Sequence, residues 1–343
     1  KFTAEADGYF DYVLDCKYIT GESWNSVPSP LLTLLREPMD LENVRSLSEQ
    51  DKSKVILVLE AIGYILADSQ QERKAIFFIG PTASGKSTLA KFIASIITPK
   101  SMVKKYTLTQ MAEGFSSMSA VQAKLNYADE LDVSSKKSLQ LFKLMVSGGE
   151  LTLPQKYAED RDVPIRAKLL FCCNELPDLH NLQAEAIMDR MLLIGFKNSV
   201  KNRDSKLADY LYEQRDRIVS MAFDAYMEAK KKRTFTDSKF AQDLFKIYSV
   251  EQNSNKNFVN DCLKLATDGK IASSRLFDEY LIYCQANGIS KPLSRHSLYQ
   301  EILTKFAGCA EQKKIRDPNT GRSVQGFTGI AFKDDEGENI YGQ

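Results

Sequence analysis

The sequence is poor in the residues that build metal sites and disulfide frameworks. It has six cysteines, two histidines and one tryptophan in 343 residues. No two cysteines form a CxxC pair, so a zinc site is not expected, and so long a chain with so few cysteines does not read as a disulfide scaffold. Cys172 and Cys173 lie inside an apolar run and read as buried structural thiols. An excess of one charge is missing too: 46 Lys+Arg face 45 Asp+Glu, a net charge of +1. That excludes a polycation that coats nucleic acid by bulk electrostatics, but not a protein whose charge is segregated. No apolar run reaches the roughly 18–20 residues of a membrane span, so a soluble protein with no membrane partner is expected, and the cysteine usage reads as that of an intracellular, cytoplasmic chain. The chain starts at Lys1 with neither Met nor a signal-peptide pattern, as expected of a piece of a longer protein.

What is present is ordinary globular material. Hydrophobic residues make up 43% and charged residues 27%, enough for one large domain or two to three ordinary ones. The charge is indeed segregated. Residues 1–40 hold three Lys/Arg against seven Asp/Glu, residues 291–333 hold eight against three, and the last ten hold four acids and no base.

Hydrophobic periodicity gives the element order. Ser48, with Asp51 three residues on, marks the start of a helix that runs through VILVLEAIGYILAD to about residue 68. Being apolar on most faces, it should be buried. AIFFI at 75–79 is a short continuous apolar run, as in a strand covered on both faces of a parallel sheet. A helix follows at 88–97, a strand KLNYADE at 124–130, a helix at 135–149, a hairpin at 151–165, and strands KLLFCCN and MLLIGF. Strand alternating with helix predicts an α/β domain with a mostly parallel sheet. After Phe196 the strands stop; residues 204–233 carry helical periodicity throughout, and a further helical stretch ends near residue 264. The last part reads as helix, turn, helix and hairpin.

The chemistry-bearing motif lies between the first strand and its helix. Gly80-Pro81-Thr82-Ala83-Ser84-Gly85-Lys86-Ser87 fits GxxxxGK[ST], followed by Thr88. The glycines let backbone N–H groups turn toward phosphates, and the helix start adds partial positive charge. Lys86 can reach the β- and γ-phosphates of ATP, and Ser87 can ligate Mg²⁺. Asp129 and Glu130 end the next strand. Such an enzyme needs one carboxylate near the metal, here Asp129, and an acceptor that polarises the attacking water, here Glu130. Asn174 closes the following strand, where its amide can hold that water; a turn-forming Asn is the other reading of this residue.

Four motifs in this order resemble the superfamily 3 helicases: the P-loop, the YADE strand, SGGELTLPQKY and the LLFCCNELP strand. AIMDRMLLIGF and LYEQRDRIVSMAFDAY resemble the phage and plasmid primase-helicase branch, whose members replicate phages, plasmids and mobile elements in bacterial hosts. The resemblance runs from about residue 31 to 332. It implies a P-loop, AAA+-like ATPase domain with a parallel sheet at 71–200. A helical oligomerisation region precedes it at 1–70, a helical lid follows at 201–265, and a winged-helix domain closes the chain at 266–343. It implies ATP and Mg²⁺ as cofactors, single-stranded and forked DNA as partners, a homo-hexamer, and a primase domain or host replication proteins as further partners.

Lys143 resembles a basic residue that reaches a neighbouring subunit's nucleotide. Arg190 resembles an arginine finger, which stabilises transition-state charge from an adjacent subunit. A solvated helix face and a surface salt bridge are the plain readings of these two residues. In the hairpin, Lys156 and Tyr157 occupy the positions of a DNA-translocating loop, although residues 150–168 hold four basic and four acidic side chains and form no basic patch. Arg295 and His296 open the expected recognition helix, and Lys313, Lys314, Arg316 and Arg322 flank the expected wing, a surface that could dock origin duplex. A protein-binding module is the alternative there. For the whole chain, the competing readings are an origin-binding initiator or scaffold whose assembly ATP controls, and a different P-loop motor such as a loader or packaging ATPase.

Overall fold

A computed structural model of the chain describes residues 11–21, 27–69, 71–112, 116–130, 136–153, 161–176, 187–289, 292–317 and 321–333. They divide into two compact units, 1–242 and 243–343.

The first unit opens with strand β1 (Val13–Leu14), helix α1 (Ser29–Arg36) and helix α2 (Glu49–Leu66). α2 starts where its cap predicts: the Ser48 hydroxyl accepts the Asp51 N–H, and Glu49 and Asp51 place negative charge on the first turn. From Val55 to Leu66 nearly every side chain is buried, so the helix is a core element of this unit. Next come β2 (Ala75–Ile79), α3 (Lys86–Ile96), β3 (Ile97–Thr98), β4 (Val103–Lys104), α4 (Leu108–Ala112), α5 (Ser116–Val121), β5 (Leu125–Ala128), α6 (Lys136–Ser147), β6 (Glu150–Leu153), β7 (Arg161–Pro164), β8 (Lys168–Cys173) and β9 (Met191–Gly195). Helices α7 (Leu207–Glu213) and α8 (Arg215–Lys232) close the unit.

Five strands form one parallel sheet in the order β4-β5-β8-β2-β9. β2, β5 and β8 are buried along their whole length, and β2 and β9 carry only apolar residues, as expected of strands covered on both faces. Ile76 and Phe78 join a core built with α1, α2, α3 and α8. On the other face Phe77 stacks on Phe171 at 5.0 Å, and Phe142 of α6 lies 6.5 Å from each ring. Two-residue β4 extends the sheet beyond the four strands expected. β6 and β7 form the expected antiparallel hairpin, with Glu150 opposite Pro164 and Leu153 opposite Arg161. Lys156 and Tyr157 at its turn lie outside the described residues.

α2 packs on α8 at close range. A Cβ on Gly63 would fall 2.1 Å from the Ala222 carbonyl oxygen. Gly63→Ala must therefore force the helices apart, and is expected to lower unfolding stability by about 1–3 kcal/mol. A shift of the urea midpoint to lower concentration checks this.

Two expectations about the helical region need correcting. Periodicity over 204–233 is not one helix: Gln214 departs from helical geometry and separates α7 from α8. Nor do strands stop after Phe196. Beyond α9 (Lys239–Gln252) and α10 (Ser254–Cys262), β10 (Leu263–Ala272) is a strand. It pairs with β12 only at its two ends, with a register shift between Leu265 and Lys270, and just Leu263, Ile271 and Ala272 along it are buried. That leaves too little alternation to read.

In the second unit β10 is followed by α11 (Ser273–Ala286), α12 (Arg295–Lys305), β11 (Glu311–Arg316) and β12 (Ser323–Phe332). The three strands form an antiparallel sheet in the order β10-β12-β11. Phe258, Tyr280, Leu298, Ile302 and Phe327 lie in its core. Ser48's device recurs here: the Ser294 hydroxyl accepts the Ser297 N–H and caps α12.

Candidate functional site

Because β5, β8 and β2 run parallel, whatever follows them gathers at one edge of the sheet. The GxxxxGKS loop follows β2, Asn174 follows β8, and Asp129 and Glu130 follow β5. Ile79 is paired with Cys173, so Gly80 and Asn174 leave the sheet side by side.

The loop has no room for side chains at its start. A Cβ on Gly80 would sit 1.8 Å from the Phe196 carbonyl oxygen. Gly85 is left-handed, at φ +86, and caps α3 without a side-chain hydrogen bond, which leaves the first N–H groups of α3 open to an anion. Ala83 is also left-handed, at φ +64, a conformation costing a non-glycine residue about 1–2 kcal/mol. Distant residues hold it there. The Val200 N–H donates to the Ala83 carbonyl at 3.0 Å, and the Ser199 hydroxyl donates to the Thr82 carbonyl at 2.7 Å. Pro81, Thr82 and Ser87 are exposed, Thr88 is half-buried and Ser84 is buried.

Lys86 is buried, and its ammonium lies within the loop. Nζ donates to the Gly80 and Pro81 carbonyls at 2.6 and 2.7 Å, to Ser84 Oγ at 3.2 Å and to Asn174 Oδ1 at 3.5 Å. Burial pulls its pKa below the ordinary lysine value, while Cys172, Cys173 and Asp129 draw it back up. Asp129 and Glu130 are exposed. Chemically, this edge offers open helix N–H groups and an ammonium for phosphate, a hydroxyl and a carboxylate (Ser87 and Asp129) for a divalent cation, and Glu130 and Asn174 for a water molecule. The structure thus brings Asn174 to Lys86 and places Asp129 and Glu130, which follow β5, at the same edge of the sheet.

Other expected residues are placed elsewhere. Arg190 immediately precedes β9, and the Ala75 N–H donates to its carbonyl, so it lies at the opposite end of the sheet. From there to Gly80 is about 20 Å of strand at roughly 3.3 Å per residue. Lys143 is half-buried on α6. In the second unit Arg295 is exposed with its guanidinium 4.7 Å from the Phe277 ring, and His296 is exposed beside it. Lys313 pairs with Glu311 at 2.7 Å, and Arg316 Nε donates to the Gly321 carbonyl. Lys314 and Arg316 share one face of β11, opposite the buried Ile315, and Arg322 is exposed.

Sequence reasoning missed the loop's braces, Ser199 and Val200, and a pair of buried lysines. Lys124 Nζ donates to the Ala67 carbonyl at 2.6 Å, and Lys168 Nζ donates to the Ser69 carbonyl. Burial pushes the Lys124 amine down to about 8 and the Lys168 amine down to about 7. A lysine opening each of two buried strands, KLNYA and KLLFCC, was the available signal. Together the pair ties the chain just beyond α2 to the sheet, away from the loop.

The first class these observations define is a mixed α/β unit with a five-stranded parallel sheet and a GxxxxGKS loop at its carboxyl edge. Residues 78–190, a third of the chain, match a family described as "Family of unknown function (DUF5906)". The match begins inside β2 and ends on Arg190. No curated protein matches the chain. The A form apo structure of the NrS-1 C terminal region aligns with 92% of this chain and 77% of its own, at 13% identity and a TM-score of 0.47. An apo structure of NrS-1 C terminal region (305-718) aligns over the same shares at 15% identity and 0.44. A ligand-bound JCV Helicase aligns with 68% of this chain and 72% of its own, at 13% identity and 0.27. Among the described residues no helix is long and apolar enough to cross a membrane.

Proposed function

We propose that the chain is the motor part of an ATP-dependent, ring-forming DNA helicase that replicates a phage, plasmid or mobile element. One observation supports this reading: Asn174 meets Lys86 beside the GxxxxGKS loop, Asp129 and Glu130 follow β5 at the same edge of the sheet, and a hairpin interrupts the chain between the carboxylate pair and Asn174. In the proposal Lys86 and the loop N–H groups bind the ATP phosphates, Ser87 and Asp129 hold Mg²⁺, Glu130 activates water, and Asn174 orients it. Lys143 and Arg190 act on the nucleotide of the next subunit in a homo-hexamer.

Hydrolysis moves the β6-β7 hairpin, and Lys156 with Tyr157 pulls one DNA strand. The order helix–strand–helix–helix–strand–strand in the second unit supports a winged helix. Its exposed Arg295, His296, Lys314, Arg316 and Arg322, with Lys313, would meet duplex DNA.

The test is displacement of a labelled strand from forked DNA, with and without ATP. Lys156→Ala is expected to keep ATP turnover while cutting displacement at least about tenfold, because one phosphate contact per subunit is lost around the ring. Displacement at the wild-type rate removes the hairpin assignment. ATP-dependent assembly on duplex without any displacement favours the initiator reading.

A further inference from the structure

The turn that carries Arg190 is held by the chain leading into β2. Two consecutive carbonyls of the turn accept from two consecutive residues, the last before β2 and the first in it. Lys74 Nζ donates to the Asp189 carbonyl at 2.5 Å, and the Ala75 N–H donates to the Arg190 carbonyl at 2.8 Å. Within the turn, the Arg190 N–H donates to the Ile187 carbonyl at 2.9 Å.

Lys74 is itself fixed. The Tyr64 hydroxyl accepts the Lys74 N–H at 3.2 Å and donates to the Lys74 carbonyl at 3.0 Å. Tyr64 is fully buried on α2, with Tyr226 and Phe235 against its ring and the Lys168 ammonium 3.8 Å from the ring centre. A lysine suits this place. Its long stem crosses the half-buried gap, and its ammonium donates without needing an acceptor in return.

We infer that Lys74 is a positioning residue for Arg190, fixing the turn from which Arg190 reaches a neighbouring copy of the chain. This rests on the proposed role of Arg190 in trans. Lys74 stands immediately before β2, and the P-loop stands immediately after it. One strand therefore joins a subunit's own phosphate loop to the turn it offers its neighbour. Placement matters because a misfit of about 1 Å at a reacting centre can cost two orders of magnitude in rate.

The test compares Lys74→Met, Lys74→Arg and Arg190→Ala in the assembled protein, reading ATP turnover and equilibrium binding of a fluorescent ATP analogue. Lys74→Met is expected to lower kcat about 10- to 100-fold, with analogue affinity unchanged within about twofold, because the P-loop of each subunit is intact. Lys74→Arg keeps a donor on a long arm and should restore most of kcat. Lys74→Gln, with a shorter arm, is the second variant if Lys74→Met does not fold, and it is read in the same way. Wild-type kcat in Lys74→Met alongside a slow Arg190→Ala overturns the positioning role and leaves the Arg190 assignment standing. Wild-type kcat in Arg190→Ala overturns that assignment instead. A loss of analogue affinity in Lys74→Met equal to its loss of kcat shows general damage and also overturns the inference.

Discussion

Lys86→Ala is expected to reduce ATP turnover at least about a hundredfold, the scale on which removing one preorganised stabiliser of developing charge slows group transfer. The structure adds a second reason to the loss of a phosphate partner. Lys86 is buried and spends its ammonium protons on Gly80, Pro81, Ser84 and Asn174. Alanine leaves the two loop carbonyls without this donor, so the loop loses shape as well as charge. Binding of ATP should therefore weaken along with turnover. Burial lowers the pKa of Lys86, and arriving phosphate would raise it, so the ammonium form is favoured most when nucleotide is bound. Phosphate release at saturating ATP measures the effect, and a thermal melt separates it from unfolding. Wild-type turnover would remove the nucleotide-site assignment altogether.

The elements around Lys86 were legible because local signals settle them. AIFFI at 75–79 is strand β2 to the residue, Ser48 caps α2 as its spacing predicts, and the residues flanking 154–160 pair as a hairpin. Each rests on an apolar run, a cap or a turn within a few residues. What was not legible depends on contacts distant in sequence. Val103–Lys104 is a strand only because Leu125–Ala128 offers it an edge. Leu263–Ala272 is a strand only because β12 holds both its ends.

The site divides in the same way. Lys86, Asp129, Glu130 and Asn174 follow buried strands, so their shared edge could be inferred from the strand pattern. Ser199 reaches Thr82 across 117 positions, and no spacing rule connects them. Lys124 and Lys168 look like ordinary charged residues at strand starts, but pairing with carbonyls beyond α2 buries them.

Arg190 gives the second large effect. Arg190→Ala alone is expected to slow hydrolysis about 10³-fold or more, the scale of an arginine that neutralises charge on a transferring phosphoryl group. Glu130→Ala alone should be similarly inactive, through loss of the group proposed to activate water. Their mixture should not be. Arg190 lies at the end of the sheet opposite Gly80, about 20 Å away along β2, which is beyond the reach of its own side chain. If it acts, it acts on another copy. A Glu130→Ala subunit still offers Arg190, and an Arg190→Ala subunit still offers Glu130, so an interface that pairs them in one direction is complete. Random mixing in a closed ring makes about a quarter of interfaces complete at equal ratio, so turnover should peak there and fall on either side. A residue acting within its own subunit gives no such peak, because neither parent then contains a whole site. Turnover measured across mixing ratios therefore distinguishes a finger in trans from a buried structural arginine, whose loss would also disable the subunit's own fold.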